Sequence, residues 1–225
     1  EKEIFALGDV LREMGTGIIQ SGGGNGIEMK NGLMSRLSEA TGRPVVYNNL
    51  NQSARRPGEW KEQMAKVDAS FARGIRAYPT CTPNRITDFF TMRNTQTFRG
   101  LPTGHPILRA PDEEKLRAYA DPAIRAKLHA EAVEFKIDFA PAGISRTWWD
   151  YMTVQTAVLP KNKGLEGKTV GEIAKMQGKG IIDAFLDLVV EEGLDTAFLH
   201  GENNVDDEAV AAILTYPNAI IGLSD

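Results

Sequence analysis

Pro217-Asn218-Ala219-Ile220-Ile221-Gly222-Leu223-Ser224-Asp225 is the stretch on which the fold turns. A short apolar run delivers a serine and a carboxylate. A continuous run of this kind predicts a strand buried on both faces, as in a parallel sheet. A carboxylate at the C-terminal end of such a strand sits where parallel barrels keep their chemistry. The run also closes the sequence, and Glu1 opens it inside a charged, helix-like stretch with no initiator Met. The expectation is the interior of a longer enzyme, with Asp225 as its catalytic carboxylate.

Upstream, Gly17-Ile18-Ile19-Gln20, Pro44-Val45-Val46-Tyr47-Asn48-Asn49 and Ile75-Arg76-Ala77-Tyr78-Pro79 read as three more short strands. Amphipathic helices are predicted around them. Ile4, Leu7, Leu11 and Met14 share one helical face. Leu33, Met34 and Leu37 mark a helix over 27–40, and Trp60, Met64, Val67 and Phe71 stripe another over 59–73. Repeats of this kind imply parallel strands joined by right-handed crossovers. The period breaks after Thr82. Residues 83–149 are rich in Arg, Pro and Phe, and only Glu113 to Val133 looks helical. A structureless loop of that length is rare, so an insertion or small helical subdomain is expected there.

Tyr151 to Val158 alternates like a strand. Thr169 with Glu172 forms a capping-box pattern, and Ile181, Phe185, Leu188 and Val189 line the next helix. Asp206 caps a last helix with Val210, Ile213 and Leu214 inward. The predicted division is barrel repeats over 1–82, a rim insertion over 83–149, and final helices with the last strand over 150–225.

The bulk numbers narrow the function. The chain has 225 residues, 42% hydrophobic and 25% charged, which is ordinary for a globular protein. A net charge of -4 argues against nucleic acid or an anionic membrane as the main partner. The single cysteine, Cys81, excludes an internal disulfide and fits a reducing, cytoplasmic compartment. His105, His129 and His200 fall in no metal-binding spacing, so a complete zinc site within this chain is not expected. Glycines 22, 23, 24 and 26 miss both phosphate-loop patterns and read as a flexible rim loop.

In a parallel barrel all strands end on one rim. The four strand ends here carry Ser21, Asn48-Asn49, Thr80-Cys81-Thr82 and Ser224-Asp225. They are therefore expected to converge on one pocket, although turns are polar for reasons of their own. Arg85 and Arg99, in the insertion, are candidates to meet a carboxylate on the substrate.

Leu165-Glu166-Gly167-Lys168-Thr169-Val170-Gly171-Glu172-Ile173-Ala174, then Gly178, Asp183 to Leu188, Asp206 to Val210 and Tyr216 to Asp225, carry a family resemblance. With Thr41-Gly42-Arg43-Pro44-Val45 and Arg76-Ala77-Tyr78-Pro79 before them, they resemble the N-acyl-D-amino-acid deacylase (D-aminoacylase) branch of the amidohydrolase superfamily. The resemblance covers nearly the whole chain, tightly in its last third and loosely through the insertion. It implies the C-terminal portion of a (β/α)8 TIM-type barrel, strands five to eight, with a long insertion before the last strand. It further implies zinc, with Asp225 matching the strand-eight aspartate that activates metal-bound water and returns its proton to the departing amine.

The departures are at the other metal ligands. The positions matching the histidines of strands five and six fall near Ser21-Gly22 and at Asn49, and asparagine is a poor zinc ligand. The remaining ligands, like the rest of the barrel, are expected outside this chain, in the same polypeptide or a partner chain. The reading is a metal-dependent amidohydrolase cleaving an N-acylated (D-)amino acid or similar linear amide. Its general base and metal ligand is Asp225, with Asn49, Thr80, Cys81 and Arg85 at the substrate pocket. Two alternatives stay open: a cyclic-amide hydrolase of the hydantoinase or dihydroorotase kind, and a non-catalytic barrel that has lost its metal.

Overall fold

The structure is a computed structural model that describes residues 1–23, 25–134 and 148–222. Leu223, Ser224 and Asp225 lie outside the described residues. In chain order the elements are α1 (Lys2–Met14), β1 (Ile19–Ser21), α2 (Asn25–Asn31), α3 (Leu33–Thr41), β2 (Val45–Tyr47), α4 (Glu59–Ala72) and β3 (Ala77–Cys81). Then come β4 (Ile86–Phe90), α5 (Gly104–Ile107), α6 (Asp112–Ala120), α7 (Pro122–Glu134), β5 (Met152–Thr156), α8 (Val170–Gln177), α9 (Ile181–Glu191), β6 (Ala197–Asn203), α10 (Asp207–Leu214) and β7 (Ile220–Ile221). Among the described residues no helix is long and apolar enough to cross a membrane.

The chain forms two compact units: Glu1–Ile86 with Asn203–Asp225, and Thr87–Glu202. The first is built on a four-stranded sheet in the order β1-β2-β3-β7, with every pairing parallel. Three of its strands follow one another in sequence. The fourth, β7, returns beside β3 with Thr80 opposite Ile220 and Cys81 opposite Ile221. An apolar run short enough to pair only along a strand edge explains β7.

Strand alternation sorts the two faces of this sheet. Val45, Tyr47 and Ala77 pack with Leu33, Met34 and Leu37 of α3. Cys81 packs with Leu50, Val67, Ile213 and Tyr216 under α4 and α10. These residues define the helix-covered face. Tyr216 adds a polar staple there, its hydroxyl donating to Asp68 Oδ1 at 2.6 Å and lying 3.1 Å from the Met64 carbonyl. The helix predicted over 27–40 is two helices, because Gly32 turns left-handed at φ 64 and breaks the run.

The second unit has a different design. Its three-stranded sheet runs β4-β6-β5, with β5 and β6 antiparallel. Phe185 of α9 sits at the centre of its core, with ring centroids 5.0 Å from Phe198, 5.4 Å from Trp149 and 6.0 Å from Phe98. Residues 150–202, expected with the barrel, belong to this unit instead. The reason is β6, which pairs β5 and closes a sheet of its own; the insertion between β3 and β7 therefore runs well past Trp149. The helix expected from Glu113 to Val133 is α6 and α7, split at Asp121-Pro122, where proline disfavours helix in the residue before it. The capping box at α8 is formed: Thr169 Oγ1 accepts from Glu172 N at 3.1 Å, and the Glu172 carboxylate accepts from Thr169 N at 2.7 Å.

Glu192 is the second unit's buried anchor, 5% exposed. Its carboxylate accepts from Val158 N at 2.6 Å, Leu159 N at 3.0 Å, Asn162 Nδ2 at 2.9 Å and Thr196 Oγ1 at 3.2 Å. Burial pushes its pKa up, but these donors outweigh burial and the net direction is downward. A depressed folded pKa means that the stabilisation is present above the unfolded value of about 4.3 and is lost as pH falls through the folded one. Denaturant unfolding is expected to weaken on acidification below about pH 4. Glu192→Gln is expected to flatten that dependence and to cost about 1–3 kcal/mol at neutral pH. An unchanged acid limb in the variant would remove Glu192 from this role.

Candidate active-site rim

The C-terminal ends of β1, β2 and β3 lie side by side, since Ser21 pairs with Tyr47 and Tyr47 with Pro79. Thr80 alternates with the helix-facing Cys81 and so points to the opposite, inner face. There the structure brings two expected polar ends together: Thr80 Oγ1 donates to Asn48 Oδ1 at 2.9 Å. Two backbone bonds pin this pair in place, Asn48 N to the Ser21 carbonyl at 3.3 Å and Leu50 N to the Thr80 carbonyl at 2.7 Å. Thr80 is buried and Asn48 half-buried. Ser21 turns back on its own loop, its hydroxyl donating to the Gly23 carbonyl.

The other expected pocket residues separate. Asn49 is half-buried, one residue beyond Asn48. Cys81 cannot share the pocket wall with Thr80, because neighbours on a strand face opposite ways. It lies 1% exposed among apolar side chains, where burial pushes its thiol up, as for an inert structural cysteine. Arg85 is exposed in the loop after β3. Arg99 is exposed in the second unit and donates to Gln96 Oε1 at 3.1 Å. Asp225 and Ser224 are outside the described residues. His105 Nδ1 lies 3.3 Å from the Arg99 carbonyl, and His129 sits on α7. His200 Nε2 lies 3.3 Å from Glu202 Oε1 on β6, with the Trp148 ring edge-on at 5.1 Å.

A buried clamp that the sequence does not announce holds the loops at this rim. Asn204 donates from Nδ2 to the carbonyls of Thr82 at 3.1 Å and Asn84 at 3.0 Å, and its Oδ1 accepts from Gln52 N at 3.1 Å. Gln52 Oε1 accepts from Val205 N at 2.8 Å. Asn204 takes a left-handed backbone, φ 57, which asparagine tolerates better than most residues. The loops after β2 and β3 are thus tied to the segment that follows β6. Arg85 stands next to a clamped carbonyl.

Among the described residues, no three His, Cys, Asp or Glu side chains gather closely enough to hold a metal ion. The strand ends offer amide and hydroxyl oxygens, and the one thiol faces the helices. These residues do not fit the zinc site that the resemblance implies. The second unit contains a cavity of about 510 Å³ lined by Arg125, Asn162, Lys179, Asp187 and Glu191. Its charges pair among themselves, with Asp187 accepting from Arg125 at 2.5 Å and from Lys179 at 2.7 Å.

No protein-family model and no curated protein match the chain. Among solved structures it is similar to a D-aminoacylase at 17% identity and a TM-score of 0.44, covering 98% of this chain and 35% of that one. A second D-aminoacylase structure, from work on its binuclear metal centre, matches at 17% identity, TM-score 0.45 and the same coverage. An N-acyl-D-glutamate deacylase from Bordetella bronchiseptica, complexed with zinc and a phosphonate inhibitor, matches at 11% identity and a TM-score of 0.39. That match covers 85% of this chain and 28% of the deacylase. The chain spans about a third of the length of the D-aminoacylases it matches.

Proposed function

We propose that this chain forms part of an amidohydrolase that cleaves the carbon–nitrogen bond of an N-acylated amino acid or similar linear amide. The observation that carries the proposal is the strand order: β7, the strand that leads to Asp225, lies parallel beside β3. A strand in that place, followed in sequence by Ser224 and Asp225, supports a reading in which the strand-end residues Asn48 and Thr80 belong to the same active-site rim.

In this reading Asp225 is the general base. It takes a proton from the attacking water as oxygen bonds to the amide carbon and the carbonyl π pair moves onto its oxygen. Collapse re-forms the carbonyl and breaks the C–N bond. The amine leaves with the proton, so one amide and one water give one carboxylic acid and one amine. Arg85 is the residue assigned to the substrate carboxylate in this reading, on the strength of its guanidinium chemistry and its position in the loop after β3. Zinc enters the proposal through the sequence resemblance alone, with Asp225 as the ligand this chain would bring.

β1 and β7 are the outer strands of the sheet, and Ile18, Ile220 and Ile221 near them are exposed. The proposal therefore includes further βα units, in the same polypeptide or a partner chain, that close the barrel. The test is amine release by the complete polypeptide from N-acyl-D- and N-acyl-L-amino acids, beside hydantoin and dihydroorotate. Turnover of the linear amides is expected. Turnover of the cyclic amides alone would replace this reading, and no turnover of any of them would end it.

A further inference from the structure

We propose that Asn48 is a catalytic residue, the donor that holds the developing oxyanion of the tetrahedral intermediate; this rests on the amide-hydrolysis reading above. The argument begins with the hydrogen-bond capacity of a primary amide, one acceptor oxygen and two N–H donors. Thr80 Oγ1 donates to Asn48 Oδ1 at 2.9 Å, which commits the amide oxygen to the neighbouring strand. With the oxygen held, Nδ2 is turned away from Thr80. Its side chain lies on the face of Thr80, to which it is bonded, and Thr80 faces away from the helix-side cluster that holds its strand neighbour Cys81.

The backbone cannot carry Asn48 elsewhere. Its own N–H is bound to the Ser21 carbonyl, and Leu50 N–H, two residues on, is bound to the Thr80 carbonyl. The result is a half-buried, preorganised donor pair at the end of a parallel strand. That is the kind of group that stabilises charge appearing on a carbonyl oxygen without reorganising during reaction. Thr80, in this scheme, is a positioning residue: it touches Asn48 and sets the orientation of the amide.

Asn48→Asp separates this role from a structural one. The carboxylate is isosteric and still accepts from Thr80, so a residue needed only for packing would leave kcat near wild type. A lost oxyanion donor is expected to lower kcat by about 10²–10³-fold with KM little changed. Asn48→Ala is expected to fall similarly. Thr80→Val, which frees the amide to rotate, is expected to lose about tenfold, since orientation rather than the donor itself is removed.

The measurements are amine-release kinetics on N-acyl amino acids and inhibition by a phosphonate mimic of the tetrahedral intermediate. The thermal transition of each variant serves as the folding control. The phosphonate inhibition constant is expected to rise in step with the fall in kcat/KM across the variants. Wild-type turnover with Asn48→Asp within about threefold of wild type would overturn the role of Asn48 and leave the hydrolase standing. A wild-type protein that turns over none of these amides would overturn both.

Discussion

Asp225→Asn in the complete polypeptide is expected to lower kcat for N-acyl amino acid hydrolysis by about 10²–10⁴-fold, the range for loss of a positioned general base. Asparagine keeps the size and hydrogen-bonding reach of the side chain but cannot take a proton from water. KM is expected to stay near wild type, because substrate is proposed to be gripped by its carboxylate at Arg85 rather than by Asp225. The acid limb of the pH–rate profile should vanish with the carboxylate. A variant that keeps kcat, or that keeps the acid limb at reduced rate, would remove Asp225 from the chemistry.

The second large effect is on stability. Phe185→Ala is expected to cost about 3–5 kcal/mol, through lost burial and the cavity left behind. The side chain is 1% exposed and touches Phe98, Trp149 and Phe198 at once, so no single neighbour can move to fill the gap. Such a loss is a large part of the roughly 5–15 kcal/mol that holds a typical domain together. Tryptophan fluorescence during denaturant unfolding reports it directly, since Trp148 and Trp149 belong to the same cluster. A change under about 1 kcal/mol would show that the aromatic cluster does not hold the second unit together.

The parallel sheet was legible in the sequence because its strands are short apolar runs, each closed by polar residues, with glycine-ended amphipathic helices between the first three. β7 is a mixed case. The apolar run before Asp225 predicted a strand buried on both faces, and a strand does pair beside β3. Ile220 and Ile221 are exposed, however, because β7 is an outer strand of the sheet. β6 was not legible. Its His200, Gly201, Glu202 and Asn203 are poor strand formers by propensity, and cross-strand pairing to β5 overrides them. β4, Ile86-Thr87-Asp88-Phe89-Phe90, was hidden within a segment dominated by Arg and Pro. These two strands are what group residues 150–202 with the segment from Thr87 on.

At the site, residue types were legible but their company was not. Asn48 and Thr80 stood out as polar strand ends, and their contact depends on register between strands 32 residues apart. The Gln52–Asn204 clamp joins residues separated by 152 positions, and neither sits in any local pattern. Thr80 and Cys81 were grouped as one strand end; alternation sends one to the inner face and the other beneath the helices. Asp225 stays a sequence-based assignment, carried by its strand and by the family resemblance.

The claim on which the rest depends is that β7 returns to lie parallel beside β3. The single native cysteine allows a direct measurement. Cys81 and Ile221 are register partners, and adjacent strands lie about 4.8 Å apart, within the Cα separation a disulfide spans. In an Ile221→Cys variant, mild oxidation is expected to consume both thiols in an intramolecular cross-link. Ile220→Cys, with its side chain on the other face, is expected to keep both thiols free. Free thiols in Ile221→Cys, or cross-linking no faster than in Ile220→Cys, would contradict the strand order and with it the shared rim.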